Sequence, residues 1–214
     1  MKKERERERE LTLNDISLGK YCEIVSIVQD ATLGEADKTI YICNILYEVD
    51  ISKISMSEAL PYINNSIKLL NTDIPTNVNI KDYYILGNRK YRFTTDVSKI
   101  NLMQFLDFQT YIQEDNTINN YNKILSVFLV PENGFYNDDS YNITELQSLI
   151  DKELSITEAY NMGAFFLQQY KRYLRIFQNS LIWEVLTMKG MKWKEKKTIL
   201  KQIINGDFYH LSLK

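Results

Sequence analysis

KDYYILGNRKYRFTTD, residues 81–96, interrupts a chain whose other patterned stretches read as helices. At its centre Gly87-Asn88 offers a two-residue turn able to take positive φ, and β-favouring residues flank it on both sides. Closing on that turn sets Leu86 opposite Arg89, Tyr84 opposite Tyr91 and Asp82 opposite Phe93. Tyr83, Ile85, Lys90 and Arg92 then fall on the other side, so one face is mostly apolar and the other aromatic and cationic. A lone hairpin is marginal in water, so its apolar face must lie on something. That support is either its own helical body or, if the hairpin projects, the sheet of another subunit. The second alternative makes Tyr83, Ile85, Lys90 and Arg92 candidate partner-binding residues.

Upstream of the hairpin the periodicity is helical. Tyr21, Ile24, Val25 and Val28 make one apolar stripe over 18–29, and Ile40, Cys43, Ile45 and Tyr47 mark a second helix over 36–49. Ser55-Met-Ser-Glu58 is a capping box for a third helix running to about Leu70. Pro61 falls in its second turn, which means a later start or a kink.

Downstream, helices are expected over 102–113 and 118–129. The stretch that follows breaks at Pro131 into a loop crowded with Asn, Asp and Tyr. It lacks the D-x-[DN]-x-[DN]-G pattern and twelfth-position Glu of an EF-hand, and Asp138 and Asp139 are adjacent, so their side chains need not converge. Pro131 and Gly134 instead punctuate a joint between helices, and Asn142-Ile-Thr-Glu145 caps the next one. A further capping box, Ser155-Ile-Thr-Glu158, launches the longest helix, carried to about Met188. Phe166, Tyr170, Tyr173, Leu174, Phe177, Leu181, Val185 and Met188 share one face of it, with Phe165, Leu167, Ile176 and Trp183 widening the apolar surface.

Both ends carry charge. Residues 4–10 alternate Glu and Arg: a helix sets like charges four apart and a strand puts every Arg on one face, so neither form supports itself. A solvated arm is expected at 1–10, with ordering against a neighbouring subunit as the alternative. Six Lys and one Glu lie between Lys189 and Lys201, with Trp193, Leu200, Ile203 and Ile204 on a shared helical face. A basic amphipathic helix is ordinarily a solvated surface helix, but it can also meet nucleic acid or an acidic partner. Lys192, Trp193, Lys194, Lys196 and Lys197 are the candidate contacts, for weak non-specific DNA binding at most.

Composition narrows the classes. The 214 residues, 44% hydrophobic and 25% charged, match an ordinary globular chain able to bury one core without staples. A net charge of −2 makes any polyanion contact local. Abundant Ile, Asn, Lys and Tyr beside few Gly and Pro match AT-rich coding DNA. Cys22 and Cys43 have no metal or disulfide spacing and read as buried thiols in a reducing compartment. No apolar run reaches the ~20 residues of a membrane helix, and the charged start lacks a signal-peptide core, so synthesis in the cytoplasm without membrane insertion is expected. His210 is the only histidine and sits in the tail, and neither GxxxxGK[ST] nor GxGxxG is present. No catalytic residue, cofactor or metal is expected.

The stretch FLDFQTYIQEDNTINNYNKILSVFLVPENGFYNDDSYNITELQSLIDKELSITEAYNMGAFF, with LTLNDISLGKY upstream, resembles small helical virion and tail proteins of tailed bacteriophages, in particular crAss-like phages of Bacteroides-type hosts. The resemblance covers about two thirds of the chain, through an order of segments. It implies a non-enzymatic morphogenesis role: a tail or neck component of ring or connector type, or an assembly chaperone that shields another tail protein and leaves. Partners would then be other phage structural proteins and further copies of the chain, in the host cytoplasm during assembly and in the virion. The expected fold is mainly α: a helical bundle-like body over 11–188 with a β-hairpin inserted at 81–94, a flexible arm at 1–10, and a basic helix and tail at 189–214.

Overall fold

The computed structural model describes residues 11–76, 79–96, 99–113, 120–136, 138, 142–187 and 191–205. Its elements in chain order are α1 (Leu18–Gln29), α2 (Glu35–Tyr47), α3 (Met56–Leu70), β1 (Tyr83–Leu86), β2 (Arg89–Phe93), α4 (Leu102–Gln113), α5 (Tyr121–Phe128), β3 (Leu129–Pro131), α6 (Ile143–Glu153), α7 (Ile156–Thr187) and α8 (Trp193–Asn205). Short 3-10 turns at Leu13–Asp15 and Ile51–Lys53 complete it. The chain is mainly helical and carries the hairpin, as its periodicities predict. Two compact units divide it: Met1–Thr95 with Lys99–Ala164, and Asp96–Ser98 with Phe165–Lys214, so the division falls inside α7.

In the first unit four helices start where a side chain satisfies their free amides, whereas α2 and α5 start at Gly34 and Asn120 without a side-chain cap. Ser17 accepts from the Lys20 amide to cap α1, and Asn142 from those of Thr144 and Glu145 to cap α6. Ser55 and Glu58 form the expected box on α3. That helix starts at Met56, ahead of Pro61, and forgoes only the bond a residue 61 amide would donate to the Ser57 carbonyl. Asn101 and Gln104 cap α4 reciprocally: each backbone N–H donates to the other's side-chain oxygen, at 3.0 and 2.8 Å. The Gln104 amide, buried, then donates to the Val127 carbonyl.

These helices stack in series. α2 lies between α1 and α3, α6 meets both α1 and α5, and α4 covers α5. Leu18, Ile24, Cys43, Leu125, Val127, Phe128, Leu146 and Ile150 are buried between them, with Phe108 of α4 edge-on to Phe128 at 5.5 Å. A short antiparallel bridge closes the unit: the Leu18 amide donates to Leu154 O and the Ile156 amide to Ile16 O, both at 2.8 Å. The two residues at its centre are Ser17 and Ser155, the cap residues of α1 and α7.

Two expectations need correction. The apolar run before Pro131 is not helical to its end: α5 stops at Phe128, and Leu129–Pro131 is a third strand on β2, with Phe93 opposite Leu129 and Tyr91 opposite Pro131. The open edge of β2 supplies partners that helical periodicity does not reveal. The Thr94 amide donates to Phe128 O and the Glu132 amide to Lys90 O, extending the pairing at both ends. Cys22 is only half-buried, whereas Cys43 is buried with its sulfur 3.3 Å from Ser66 Oγ. Of the two supports open to the hairpin, its own helical body is the one present: its tip lies on α6, where Gly87, at φ +55, leaves no room for a Cβ beside Leu149.

In the second unit Phe166 and Val185 of the α7 stripe are buried. The side chains of Leu167, Tyr170, Tyr173, Leu174, Ile176, Phe177, Leu181 and Trp183 lie outside the described set, as do those of Ile203 and Ile204. So do residues 1–10, Asp139, Met188, Lys189 and His210. α8 opens with the Lys192 amide donating to Glu195, and Lys196 Nζ donates to Leu186 O at 2.8 Å.

Gly163 in α7 admits Tyr121 of α5: a Cβ there would sit 1.8 Å from the phenol oxygen. Gly163→Ala is therefore expected to destabilise the fold by about 1–3 kcal/mol through overpacking. Urea unfolding of the two proteins at equal m-value measures it.

Candidate protein–protein interface

The sheet is built from the turn outward. Gly87 and Asn88, both at positive φ, form the two-residue loop, and the register is the expected one: Leu86 with Arg89, Ile85 with Lys90, Tyr84 with Tyr91, Tyr83 with Arg92. Tyr84, Leu86, Tyr91 and Phe93 are buried, and Glu153 of α6 accepts the Gly87 amide at 2.9 Å. The opposite face is exposed and carries all four residues singled out from the sequence, with Ile85 72% and Tyr83 40% accessible.

Electrostatics fix that face. Lys90 Nζ lies 4.0 Å from the centre of the Tyr83 ring and 2.6 Å from Glu132 Oε1. The bond to Glu132 holds the lysine above its ordinary pKa. At the foot of β1, Lys81 pairs with Glu158 at 2.6 Å. Both lysines near this edge are therefore paired, while Arg92, opposite Tyr83, keeps an exposed guanidinium on the same face.

The order β1-β2-β3 leaves β1 at an edge. A two-residue loop makes Leu86·Arg89 a hydrogen-bonded pair, and the Phe93 amide donates to Asp82 O at 2.8 Å, an even number of residues further along and so in the same phase. Tyr83 and Ile85 therefore turn their backbone N–H and C=O groups away from β2, where no strand among the described residues meets them.

The residues singled out on the C-terminal helix fare differently. Lys192, Trp193, Lys194 and Lys197 are exposed, and Lys194, Lys197 and Lys201 share a face by their spacing of three and four. Lys196 is half-buried, and its ammonium already donates one bond to the end of α7.

Two features escape the sequence reading. α3 has two neighbouring apolar stripes: Ala59, Tyr62, Ser66 and Leu69 turn inward, whereas Met56, Leu60, Ile67 and Leu70 are exposed, Met56 by 66%. The signal was present as a second set of apolar residues at helical spacing, more than one neighbour covers. The other feature is a polar seam in the first unit, made by residues far apart in the chain. Asn122 Nδ2 donates to Asp151 Oδ2 at 2.6 Å, and Gly19 lets α1 approach the Asp151 backbone closely. Burial pushes the Cys22 thiol up to about 11, helped by the Asp151 charge. Burial likewise raises the Asp151 carboxyl, against the Asn122 bond, and the Tyr121 phenol to about 12. A nucleophilic thiol needs the opposite shift, so the seam favours the neutral form of each group.

Among the described residues no group of three or more His, Cys, Asp or Glu could hold a metal ion, and no helix is long and apolar enough to cross a membrane. No family model matches the chain, and searches of curated proteins and of solved structures return no match.

Because the folded pKa of Asp151 lies above its unfolded value, the folded state binds the extra proton and stability falls as pH rises through the carboxylate range. Asp151→Asn keeps an acceptor for Asn122 and is expected to flatten that fall and raise stability at neutral pH. Thermal unfolding of both proteins from acid to neutral pH checks the slope.

Proposed function

We propose that this chain is a non-enzymatic bacteriophage morphogenesis protein, a component of the tail or neck that works through protein–protein contacts. The order of segments that resembles phage virion and tail proteins supports the phage assignment. The observation that carries the contact-based role is the open edge of β1, a strand with no charged residue from Tyr83 to Leu86 and with Tyr83 and Ile85 exposed. An unprotected edge strand is a template for pairing, and soluble chains ordinarily blunt such edges with charge or proline. The bare stripe of α3 adds a second apolar surface at the 3-4 spacing that another helix fills. A chain presenting two distinct surfaces can meet two neighbours, as a particle component must. Its place would be the host cytoplasm during assembly and then the virion.

Mass spectrometry of purified particles tests this. Many copies per particle are expected; absence from particles despite expression in infected cells would assign the chain to transient chaperoning instead.

A second reading has its own observation, the exposed face of Lys194, Lys197 and Lys201 beside Trp193, itself 67% accessible. If it contacts DNA, binding weakens steeply with salt and is lost on replacing Lys192, Lys194 and Lys197. Absence of binding to duplex DNA at low salt rejects it.

A further inference from the structure

We propose that β1 pairs with β1 of a second copy of the chain, antiparallel about a two-fold axis through Tyr84, joining two three-stranded sheets into one. This deepens the contact-based role proposed above and rests on it for its biological setting.

The backbone sets the register. β1 turns four groups outward, the N–H and C=O of Tyr83 and of Ile85, because its other residues spend theirs on β2. An antiparallel partner must exchange both bonds at each hydrogen-bonded pair and skip the residue between. With Tyr84 on the axis, Tyr83 of each copy meets Ile85 of the other, and all four groups on each copy find partners. The pairing stops there of itself: the Gly87 amide is held by Glu153 and the Lys81 amide faces the Tyr84 hydroxyl at 3.3 Å.

Side chains and charge select a second copy as the occupant. On the exposed face the same register sets an aromatic ring against a β-branched side chain twice over, a favourable cross-strand pair. No like charges oppose each other directly, since Lys81 falls opposite Gly87 and Asp82 opposite Leu86. The nearest ammonium groups already pair within their own copy, Lys90 with Glu132 and Lys81 with Glu158. Tyr83 to Leu86 include no charged residue, so the strand itself offers nothing to select an oppositely charged foreign strand and accepts its own image without direct repulsion, with Arg92 one strand further in. Four residues of edge cover much less than the ~800 Å² per partner of standard stable complexes, so the pair is weak and reversible and gains strength where many copies gather.

The test uses the full chain. Ile85→Pro deletes an outward amide that β2 does not use, and Ile85→Lys charges the edge; both are tolerated on an edge strand. Sedimentation is expected to show wild type dimerising reversibly as concentration rises to about 0.5 mM, with each variant about 10- to 100-fold weaker at unchanged circular dichroism. Tyr83→Cys combined with Ile85→Cys should form an intermolecular 83–85 disulfide on oxidation, identified by peptide mass spectrometry. A wild type that stays monomeric throughout that range overturns the proposal, as does dimerisation unchanged by both variants. So does a foreign strand recovered on the β1 edge of chains that never cross-link. The particle experiment is independent: a chain absent from particles that still dimerises through β1 defeats only the morphogenesis reading, and an abundant particle protein indifferent to Ile85 defeats only this one.

Discussion

Two backbone hydrogen bonds, Leu18 to Leu154 and Ile156 to Ile16, hold together segments more than a hundred residues apart and fix where two helices begin. The side chains flanking them, Ile16, Leu18, Leu154 and Ile156, are all buried, so the bond pair is shielded from water. Ser17 and Ser155 sit between them with cap-forming hydroxyls, accepting from Lys20 and Glu158. Shifting either strand of this bridge by one residue would expose two buried aliphatic side chains and misplace a cap together. The same few atoms thus close the longest loop, seat α1 beside α6 and orient the start of α7. What lies between the two strands is positioned by a short clamp rather than by a continuous sheet or coil.

Within that clamp, helix crossings tolerate polar groups because glycine brings backbones close enough to bury them. Gly19 allows α1 to reach Asp151, and Gly163 receives the Tyr121 phenol. Burial raises each group in the seam toward its neutral form; neighbouring groups add to the shift at Cys22 and Tyr121, while the Asn122 bond opposes it at Asp151. The cysteine and the tyrosine of this set are thereby held as neutral thiol and phenol. Their arrangement explains tight packing better than chemistry.

The sequence announced what is local and withheld what is distant. The capping box at Ser55, the Ser155 and Asn142 caps and the Gly87-Asn88 turn are decided by neighbours within four residues, and all stand where the pattern put them. The ends of α1 and α4 matched as well, since apolar spacing reports on them directly. β3 was not legible, because Leu129 and Val130 continue an apolar run and only the distant β2 decides whether that run ends as helix or strand. Lys196 looked like any other surface lysine until the end of α7 proved to be its acceptor. The exposed stripe of α3 was legible in principle, but periodicity marks an apolar face without saying whether anything covers it.

The exposed face of the hairpin was legible for a deeper reason. In a strand, side-chain direction and backbone hydrogen-bond direction alternate with the same period of two. Once the two-residue turn makes Leu86 a hydrogen-bonded partner of Arg89, Tyr83 and Ile85 must send their amides to the open edge and their side chains to the side opposite Tyr84 and Leu86. One register therefore fixes both properties, and no mutation confined to the surface can separate them. Had the loop been one residue longer on the β1 side, the buried Tyr84 and Leu86 would have owned the free amides, and the edge would have been sealed by the same packing that holds the sheet to α6. The hydrogen-bonding groups available at this edge thus follow from turn length.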